Sequence, residues 1–309
     1  YHIFLQYLSK NNTLYFMELM DKNIENNRIC KCISCNSTDF NYYNENLTLK
    51  LPIYICKNCQ LHVTGTSQKE LDEKIKNFYD EDFWKSDQDK ILESDFSDSY
   101  SLGRIRLWKS QIKYCKEILN TSKTILEIGS GHGEAIFNFD KIGYIVSGIE
   151  PDKKNVIAIN KKLKNSECIV EKAETFSFEK KFDIIWINHV FEHLSEPIIF
   201  LKKIKNFLNE SGFIFIEVPS VEKINDWRKF TSAPHTYNYS KQSLMNISKK
   251  VDYKIVKCNY FRSPTIFEGG INKLFNKFLK KDFFDFYPKI LTSSENGENI
   301  RIILSKNSV

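Results

Sequence analysis

Four cysteines near the start of the sequence have the spacing of metal ligands. Cys32 and Cys35 form one Cys-x-x-Cys pair, Cys56 and Cys59 form a second, and 20 residues separate the two pairs. Two such pairs, each in a tight turn, are typical of a tetrahedral zinc site with four thiolate ligands. Because the protein fills all four positions, the predicted zinc is structural, and its binding energy would stabilise a small module. Cys30 is expected to be a bystander.

The stretch TILEIGSGHGEAIF, residues 124–137, joins a short apolar strand to a glycine-rich turn and a helix. Gly129, Gly131 and Gly133 give a G-x-G-x-G spacing, whereas dinucleotide sites need G-x-G-x-x-G. The last position of that fingerprint is occupied by Glu134, and a carboxylate at a helix N-terminus repels a bound pyrophosphate. The Lys and Ser/Thr of a phosphate loop are also missing. The ligand at this turn is therefore predicted not to be anionic there.

Two further carboxylates favour a cationic nucleoside as the ligand. Glu127 lies two residues before the first glycine, and Glu150 ends the second strand. A carboxylate about 20 residues beyond the first glycine can accept hydrogen bonds from both ribose hydroxyls, and it would repel a 2′-phosphate. The ligand that is cationic, contains adenosine and lacks phosphate is S-adenosylmethionine (SAM).

A third group of residues, in NHVFEHLSEP, follows the fourth predicted strand. Methyl transfer to a hydroxyl or a carbon acid requires the acceptor to lose a proton, and histidine is suited to that task near neutral pH. We expect His193 to be the general base, with Glu192 orienting an imidazole or sharing its proton. His189 would share a face with His193 if residues 189–194 form a helical turn. Helix capping or packing by either histidine stays an alternative, as does a metal bound by the pair, although HExxH is absent.

Two loops with aromatic residues are further candidates for the acceptor side. His235 lies in SAPHTYNYS and could face the acceptor together with Tyr237 and Tyr239. A capping or loop-packing role is the alternative for this histidine. The other loop, NFYDEDFW, could form a lid or dock between modules through Tyr79, Phe83 and Trp84.

The elements that must position these residues alternate between strand and helix. Seven apolar runs predict strands: TILEI, YIVSGIE, SECIVEKA, KFDIIWIN, FIFIEVP, KIVKCNYF and NIRIILSK. Helical patterns lie between most of them, and EPIIFLKKIKNFLNESG is predicted to be one helix that ends at Gly212. Continuous apolar strands that alternate with helices predict an α/β fold with a mostly parallel sheet covered on both faces. The last two strands are expected to pair antiparallel at the edge.

The chain divides into four predicted parts. Residues 1–29 form a leader, residues 30–66 a small zinc-ribbon-like module, and residues 67–121 a helical connector that begins with Ser67 as N-cap. Residues 122–309 form the main domain, with an insertion at 262–298 before the last strand. The insertion contains the amphipathic, basic segment INKLFNKFLKKDFFDFY, which we expect to pack against the domain; contact with a membrane surface is the alternative.

Five ordered blocks, ILEIGSGHGE, GIEPD, EKAETF, FDIIWINHVFEHL and GFIFIEVPS, resemble the class I SAM-dependent methyltransferases. The resemblance implies a Rossmann-like, seven-stranded sheet, and it covers about residues 122–261 and the last strand. It implies that the glycine turn approaches the methionyl part of SAM and that the loop after the third strand contacts adenine. A Rossmann-like domain with another nucleotide is the alternative. The residues that the resemblance assigns to the cofactor are Glu127, Gly129, Ser130, Gly131, Glu150, Pro151, Ala173, Glu174 and Asn188.

The order of the parts is itself informative. A zinc module, the NFYDEDFW segment and a class I core in succession resemble bacterial methyltransferases that act on nucleotide-linked sugars and related surface-polysaccharide substrates. In the sugar C-methyltransferases of this group, a Glu-His pair like Glu192-His193 is associated with base catalysis. Those enzymes carry a second α/β domain after the core, whereas 48 residues follow Phe261 here. We therefore expect a sugar hydroxyl as acceptor instead of carbon.

Composition limits the partners. The net charge of +6 over 309 residues, with a pI of about 8.7, is too mild to favour a nucleic-acid partner. With no apolar run of 18 residues and no signal peptide at the N-terminus, we expect a cytoplasmic enzyme with a small-molecule acceptor. Two other functions stay open. The chain could be an RNA methyltransferase that binds RNA with its zinc module, or a non-catalytic protein that binds SAM and offers its zinc module to another protein.

Overall fold

The computed structural model describes residues 27–78, 101–221, 231–261 and 297–306, without the side chains of residues 101–106. Several predicted features lie outside these ranges: residues 1–26 of the leader, the lid residues Tyr79, Phe83 and Trp84, and the insertion up to residue 296. Within the described part of the chain, no helix has both the length and the apolar character needed to cross a membrane.

Eleven strands and seven α-helices are described. The strands are β1 (Phe40–Asn46), β2 (Leu51–Cys56), β3 (His62–Thr64), β4 (Thr124–Ile128), β5 (Ile145–Glu150), β6 (Glu167–Val170), β7 (Phe182–Asn188), β8 (Leu208–Pro219), β9 (Tyr237–Asn238), β10 (Tyr253–Phe261) and β11 (Asn299–Lys306). The helices are α1 (Gln68–Asn77), α2 (Ser101–Tyr114), α3 (Lys116–Leu119), α4 (Glu134–Lys141), α5 (Lys153–Asn160), α6 (Pro197–Ile204) and α7 (Lys241–Lys250).

The larger sheet has seven strands in the order β10-β11-β8-β7-β4-β5-β6. Strand β11 pairs antiparallel with both of its neighbours, and the other strands run parallel to one another. This confirms the predicted α/β, Rossmann-like sheet and its antiparallel last pair. The chain winds from β4 through β5 to β6 and then returns to β7 on the other side of β4. Ligands of open α/β sheets bind at such a reversal, at the carboxyl ends of the strands.

Alternation along the strands buries one set of side chains on each face of the sheet. Leu126 and Ile128 belong to a core with α6, α7 and the cysteine module. Ile125 and Trp186 belong to a second core with α3, α4 and α5. Because both faces are covered, the central strands are mostly apolar, and the buried polar residues in them are informative.

The cysteine module does not form its sheet alone. Strands β1, β2 and β3 pair antiparallel, and β9, which comes from the segment between β8 and α7, adds the fourth strand. Ser240, the N-cap of α7, donates its hydroxyl hydrogen to the carbonyl of Cys59 over 2.5 Å. Lys250, at the other end of α7, donates to the carbonyl of Ile33 over 2.7 Å. The module predicted at residues 30–66 therefore shares its sheet with the main domain and is hydrogen-bonded to α7.

The predicted helix before β8 is shorter than its pattern indicated. Helix α6 ends at Ile204, a single 3-10 turn follows, and β8 begins at Leu208, so the prediction of a helix ending at Gly212 was wrong. Leu208 is buried and pairs with Phe182. The register then shifts before Ile184, which pairs with Phe213, so the polar residues of β8 between Leu208 and Phe213 are accommodated. A buried leucine satisfies a strand as well as a helix, and periodicity alone does not separate the two. The predicted N-cap at Ser67 is confirmed by the hydrogen bond that its hydroxyl accepts from the amide of Glu70.

Two of the polar exceptions in the strands form a buried ion pair. Glu217 in β8 lies opposite Arg301 in β11, both side chains are fully buried, and the guanidinium donates to the carboxylate. Gln111 of α2 donates to the same carboxylate over 3.1 Å, and Ser110 accepts from the guanidinium over 2.7 Å. Burial opposes ionisation of Glu217, yet Arg301 holds the pKa of this carboxyl at about 2. The ion pair thus attaches α2 to the carboxyl edge of the sheet.

We expect the substitution Arg301→Met to lower the free energy of unfolding by about 3–5 kcal/mol, because it leaves the Glu217 carboxylate buried without its guanidinium partner. The matched control is Lys57→Met, which removes the exposed ion pair with Asp39 and should change stability by less than about 1 kcal/mol. Urea unfolding of both variants measures the difference. Equal stability losses in the two variants would contradict this account of the pair.

Candidate active site and metal centre

A cavity of about 990 Å³ opens at the carboxyl ends of β4, β5 and β7. This volume is at the upper end of the range for ligand sites, about 300–1,000 Å³, and leaves room for a cofactor and an acceptor. All nine residues that the sequence assigned to the cofactor line it: Glu127, Gly129, Ser130, Gly131, Glu150, Pro151, Ala173, Glu174 and Asn188. The topological reversal of the sheet thus collects these residues from four separate segments.

The glycine turn after β4 forms one wall of the cavity. Gly129 and Gly131 have positive φ angles of 72° and 53°, a conformation that side chains disfavour. A side chain at Gly129 would overlap Val190, whereas the same position at Gly131 has nothing within 4 Å. The turn therefore needs its first glycine for packing, and it presents the bare backbone of the second to the open cavity.

Glu150 connects the end of β5 to the glycine turn. One carboxylate oxygen accepts the amide hydrogen of Gly131 over 2.8 Å, and the other accepts that of Asp152 over 3.1 Å. Burial raises the pKa of this carboxyl to about 7. Each oxygen has a second lone pair. The side chain is thus held at the cavity wall and can accept hydrogen bonds from a ligand.

Glu127 lies deeper, at the end of β4. Its side chain is buried, and its Oε2 atom has no hydrogen-bond partner. Burial raises the pKa of the carboxyl to about 8. A buried carboxylate oxygen without a donor is costly, and an ammonium group from a ligand would remove that cost. This orphaned atom in the cavity wall fits the cationic methionyl end of SAM.

The helices of the connector supply residues that the sequence did not single out. Helix α1 contributes Asp72, Ile75 and Lys76 to the cavity, and α2 contributes Leu107, Trp108 and Gln111. The amide of Gln111 also donates to Asn188 over 3.0 Å, which links α2 to the end of β7. A lone glutamine in an apolar helix pattern was the only sequence signal for this role.

His189 and His193 have different partners. His189 has a positive φ of 54°, and a 3-10 turn at residues 191–193 replaces the expected helical turn at 189–194. Its Nδ1 lies 3.3 Å from Glu192 Oε1, and its Nε2 lies 3.7 Å from Glu217 Oε1. Burial opposes protonation of His189, yet these two carboxylates raise its pKa to about 10. The imidazole is therefore a paired cation at neutral pH.

His193 faces the cavity with His235 behind it. The Nδ1 of His193 lies 3.3 Å from the carbonyl oxygen of Pro234, and its ring meets that of His235 edge to face at 4.9 Å between centroids. Burial lowers the pKa of His193 to about 4, so the imidazole is neutral. Tyr237 and Tyr239, expected beside the acceptor, are instead buried and do not line this cavity.

The four cysteines of the predicted zinc site meet in the structure. Cys32 Sγ lies 3.6 Å from Cys59 Sγ, and Cys35 Sγ lies 3.5 Å from Cys56 Sγ. All four sulfur atoms lie within 4.8 Å of one another, and Cys30 is not among them. Thiolates around a tetrahedral zinc ion with bonds of about 2.3 Å are separated by about 3.8 Å, so this donor set fits the ion closely.

Comparisons with known proteins agree with this geometry. A family model described as a methyltransferase domain matches residues 100–258, just over half of the chain. The chain is 25% identical over 175 residues to the ubiquinone biosynthesis O-methyltransferase of Pelagibacter ubique, a match covering 47% of this chain and 73% of that protein. It is 30% identical over 112 residues to the pavine N-methyltransferase of Thalictrum flavum, covering 34% of this chain and 32% of that protein.

Solved structures share the fold at low sequence identity. The plantazolicin methyltransferase BamL superposes with a TM-score of 0.54 and 15% identity, covering 78% of this chain and 97% of that one. Its counterpart BpumL gives a TM-score of 0.51 and 16% identity, covering 78% and 98%. The family match shows that the chain belongs to the methyltransferase domain family. Together with the strand order and the cavity where that order reverses, it identifies the chain as a class I SAM-dependent methyltransferase.

Proposed function

We propose that this enzyme methylates a hydroxyl of a small acceptor, a sugar or nucleotide-linked sugar, with SAM as the methyl donor. The observation that carries the proposal is that one cavity contains two buried carboxylates suited to SAM, Glu127 and Glu150, and also His193. A cofactor and an acceptor in that space would be adjacent, as an in-line displacement requires.

In this proposal the two carboxylates bind different parts of the cofactor. Glu150 accepts hydrogen bonds from the ribose hydroxyls, and Glu127 pairs with the ammonium group of the methionyl part. Ala173 and Glu174, in the loop after β6, border the adenine, and Asn188 contacts the cofactor from the end of β7. Three observations support these roles. All these residues line one cavity, Oε2 of Glu127 has no hydrogen-bond partner, and backbone amides hold Glu150 in place.

The reaction needs little from the protein beyond alignment and loss of one proton. The acceptor oxygen forms a bond to the methyl carbon, the sulfur–carbon bond breaks with its electron pair staying on sulfur, and S-adenosylhomocysteine leaves uncharged at sulfur. The proton of the acceptor hydroxyl ends on solvent water. We propose that the Glu192-His193 pair activates this hydroxyl, because His193 lines the cavity and Glu192 is the adjacent, buried residue.

Two features favour a small acceptor over RNA. The cavity is bordered by α1 and α2 as well as by the sheet, which suits a small molecule better than a polymer. The net charge of +6 over 309 residues is mild for a protein that binds a phosphate backbone. The choice of a sugar hydroxyl rests on the resemblance of the zinc module and core to nucleotide-sugar methyltransferases.

The cysteine module completes the proposal with a structural Zn²⁺ held by Cys32, Cys35, Cys56 and Cys59. Four protein thiolates leave no open position for a substrate. The ion would stabilise the sheet that β9 completes, and so would hold the segment with His235 in place. It supplies no chemistry to the methyl transfer.

Binding of SAM at pH 7 should release about one more proton from the wild-type protein than from the Glu127→Gln variant. With its pKa raised to about 8, the Glu127 carboxyl is protonated below that pH and must ionise to pair with an ammonium group. Affinity should therefore rise as the pH increases from 6 to 8. Calorimetric titrations at pH 7 in phosphate and in Tris give the number of protons. Equal proton release by the two proteins would show that Glu127 does not meet the cation.

The proposed reaction is tested by incubating the chain with labelled SAM and a panel of nucleotide sugars, with RNA as a separate arm. We expect a mass increase of one methyl group on a sugar hydroxyl, and a loss of at least about 100-fold in the His193→Ala variant with SAM binding retained. Label on RNA alone would contradict the proposal. Unchanged turnover in His193→Ala would contradict the role of this residue, and binding without any turnover by the wild type would favour the non-catalytic alternative.

We expect about one Zn²⁺ per chain in the purified protein and none in the Cys56→Ser variant. Loss of one thiolate destroys the tetrahedral site, and unfolding should occur at a markedly lower temperature. Cys30→Ser is the matched control, because this neighbouring cysteine lies outside the cluster. Mass spectrometry of the metal content and a thermal melt measure both effects. Full zinc content in Cys56→Ser would overturn the assignment.

A further inference from the structure

Glu192, His193 and His235 form a second cluster of metal-binding side chains. One carboxylate oxygen and one ring nitrogen from each histidine lie within 4.8 Å of one another. Among the described residues, this cluster and the four cysteines are the groups with that property. The two clusters share no residue, and their donors differ in chemistry.

The cluster is built from two segments that the backbone holds together. The amide of Thr236 donates to the carbonyl of Glu192 over 2.9 Å, and its hydroxyl contacts the carbonyls of Glu192 at 3.0 Å and Leu194 at 2.6 Å. Adjacent to it, His235 is fixed by the hydrogen bond between its Nδ1 and Asn238 Oδ1, at 2.7 Å. Thr236 and Asn238 thus set the positions of the donors before any ligand arrives.

One oxygen of Glu192 and one nitrogen of His235 are available to a cation. The Oε2 atom of Glu192 has no hydrogen-bond partner, although the side chain is only 1% exposed. Asn238 Oδ1 is an acceptor, so Nδ1 of His235 carries the hydrogen, and the lone pair of this imidazole is on Nε2. The Oε1 atom of Glu192 already lies 3.3 Å from His189 Nδ1, so Oε2 and the lone pair of His235 are the atoms that a further cation would bind.

The chemistry of the donors identifies the class of cation. Two imidazoles and one carboxylate are a set that first-row transition ions prefer, whereas Mg²⁺ and Ca²⁺ favour oxygen ligands. Three protein ligands leave a coordination position for substrate, as in catalytic sites. Donors around an ion with bonds of about 2.1 Å lie roughly 3–3.5 Å apart, which small side-chain movements within this cluster would reach.

We propose that Glu192, His193 and His235 bind a divalent first-row transition-metal ion whose open position receives the acceptor oxygen. His193 lines the cavity, and the other two ligands are buried and do not line it. The second half of this inference rests on the proposed function. The ion withdraws charge from the hydroxyl oxygen, the proton passes to solvent, and the oxygen then takes the methyl group while the sulfur keeps the bonding pair. His193 acts as a ligand in place of the general-base role that the sequence suggested.

The test loads untagged protein that carries one equivalent of Zn²⁺ separately with Mn²⁺ and with Co²⁺, removes unbound ion by desalting and measures metal by mass spectrometry. This zinc occupies the thiolate site, because soft thiolate ligands select Zn²⁺ over these ions. We expect one additional Mn²⁺ or Co²⁺ per chain and a higher unfolding temperature. Neither acceptor nor SAM is needed, so this result is independent of whether the proposed methyl transfer is observed.

The variants Glu192→Gln and His235→Gln should lose the additional ion, and His132→Asn should keep it, because His132 lines the same cavity outside the cluster. Circular dichroism confirms that each variant is folded. Where a variant does not fold, the wild-type stoichiometry still decides. Failure of the wild type to retain either ion would overturn the proposal, as would full retention by folded Glu192→Gln and His235→Gln.

Discussion

The structure depends on one electrostatic constraint: two carboxylates are buried at the point where the strand order of the sheet reverses. Glu127 and Glu150 end neighbouring strands, and burial raises the pKa of each. Glu150 is held by backbone amides, and Glu127 has an oxygen without a partner. Such groups reduce the stability of the empty protein. In our proposal, a cationic nucleoside with two ribose hydroxyls would supply the missing charge and donors, and this explains why the carboxylates are buried here.

The parts of the chain outside the core serve the same cavity. Helices α1 and α2 provide walls, and the buried pair of Glu217 and Arg301 attaches α2 to the strand ends. The cysteine module is joined to the core through β9 and α7. Because β9 follows directly after His235, a metal ion in the module would stabilise the segment that places this histidine beside His193. In this arrangement a zinc ion would act on the site through position alone.

Much of the fold followed from the sequence because its signals are local. Apolar strands, the glycine turn and the cysteine spacing each depend on a few adjacent residues, and the seven-stranded sheet and the meeting of the four sulfurs match them. What the sequence missed involves long-range contacts. Three contacts join residues that are far apart in the chain: β9 pairs with β3 in the second sheet, Glu217 pairs with Arg301, and His235 lies against His193. The left-handed backbone at His189, which separates it from His193, likewise has no signature in residue type.

The central claim is that the Glu150 carboxylate holds the ribose of SAM. Titration calorimetry of the full chain with SAM tests it most directly, with Glu150→Gln as the variant and Glu167→Gln, an exposed carboxylate outside the cavity, as control. The account predicts binding of one SAM per chain, weakened about 10- to 100-fold in Glu150→Gln and unchanged in the control. Equal affinity in wild type and Glu150→Gln, or no binding by folded protein, would contradict it.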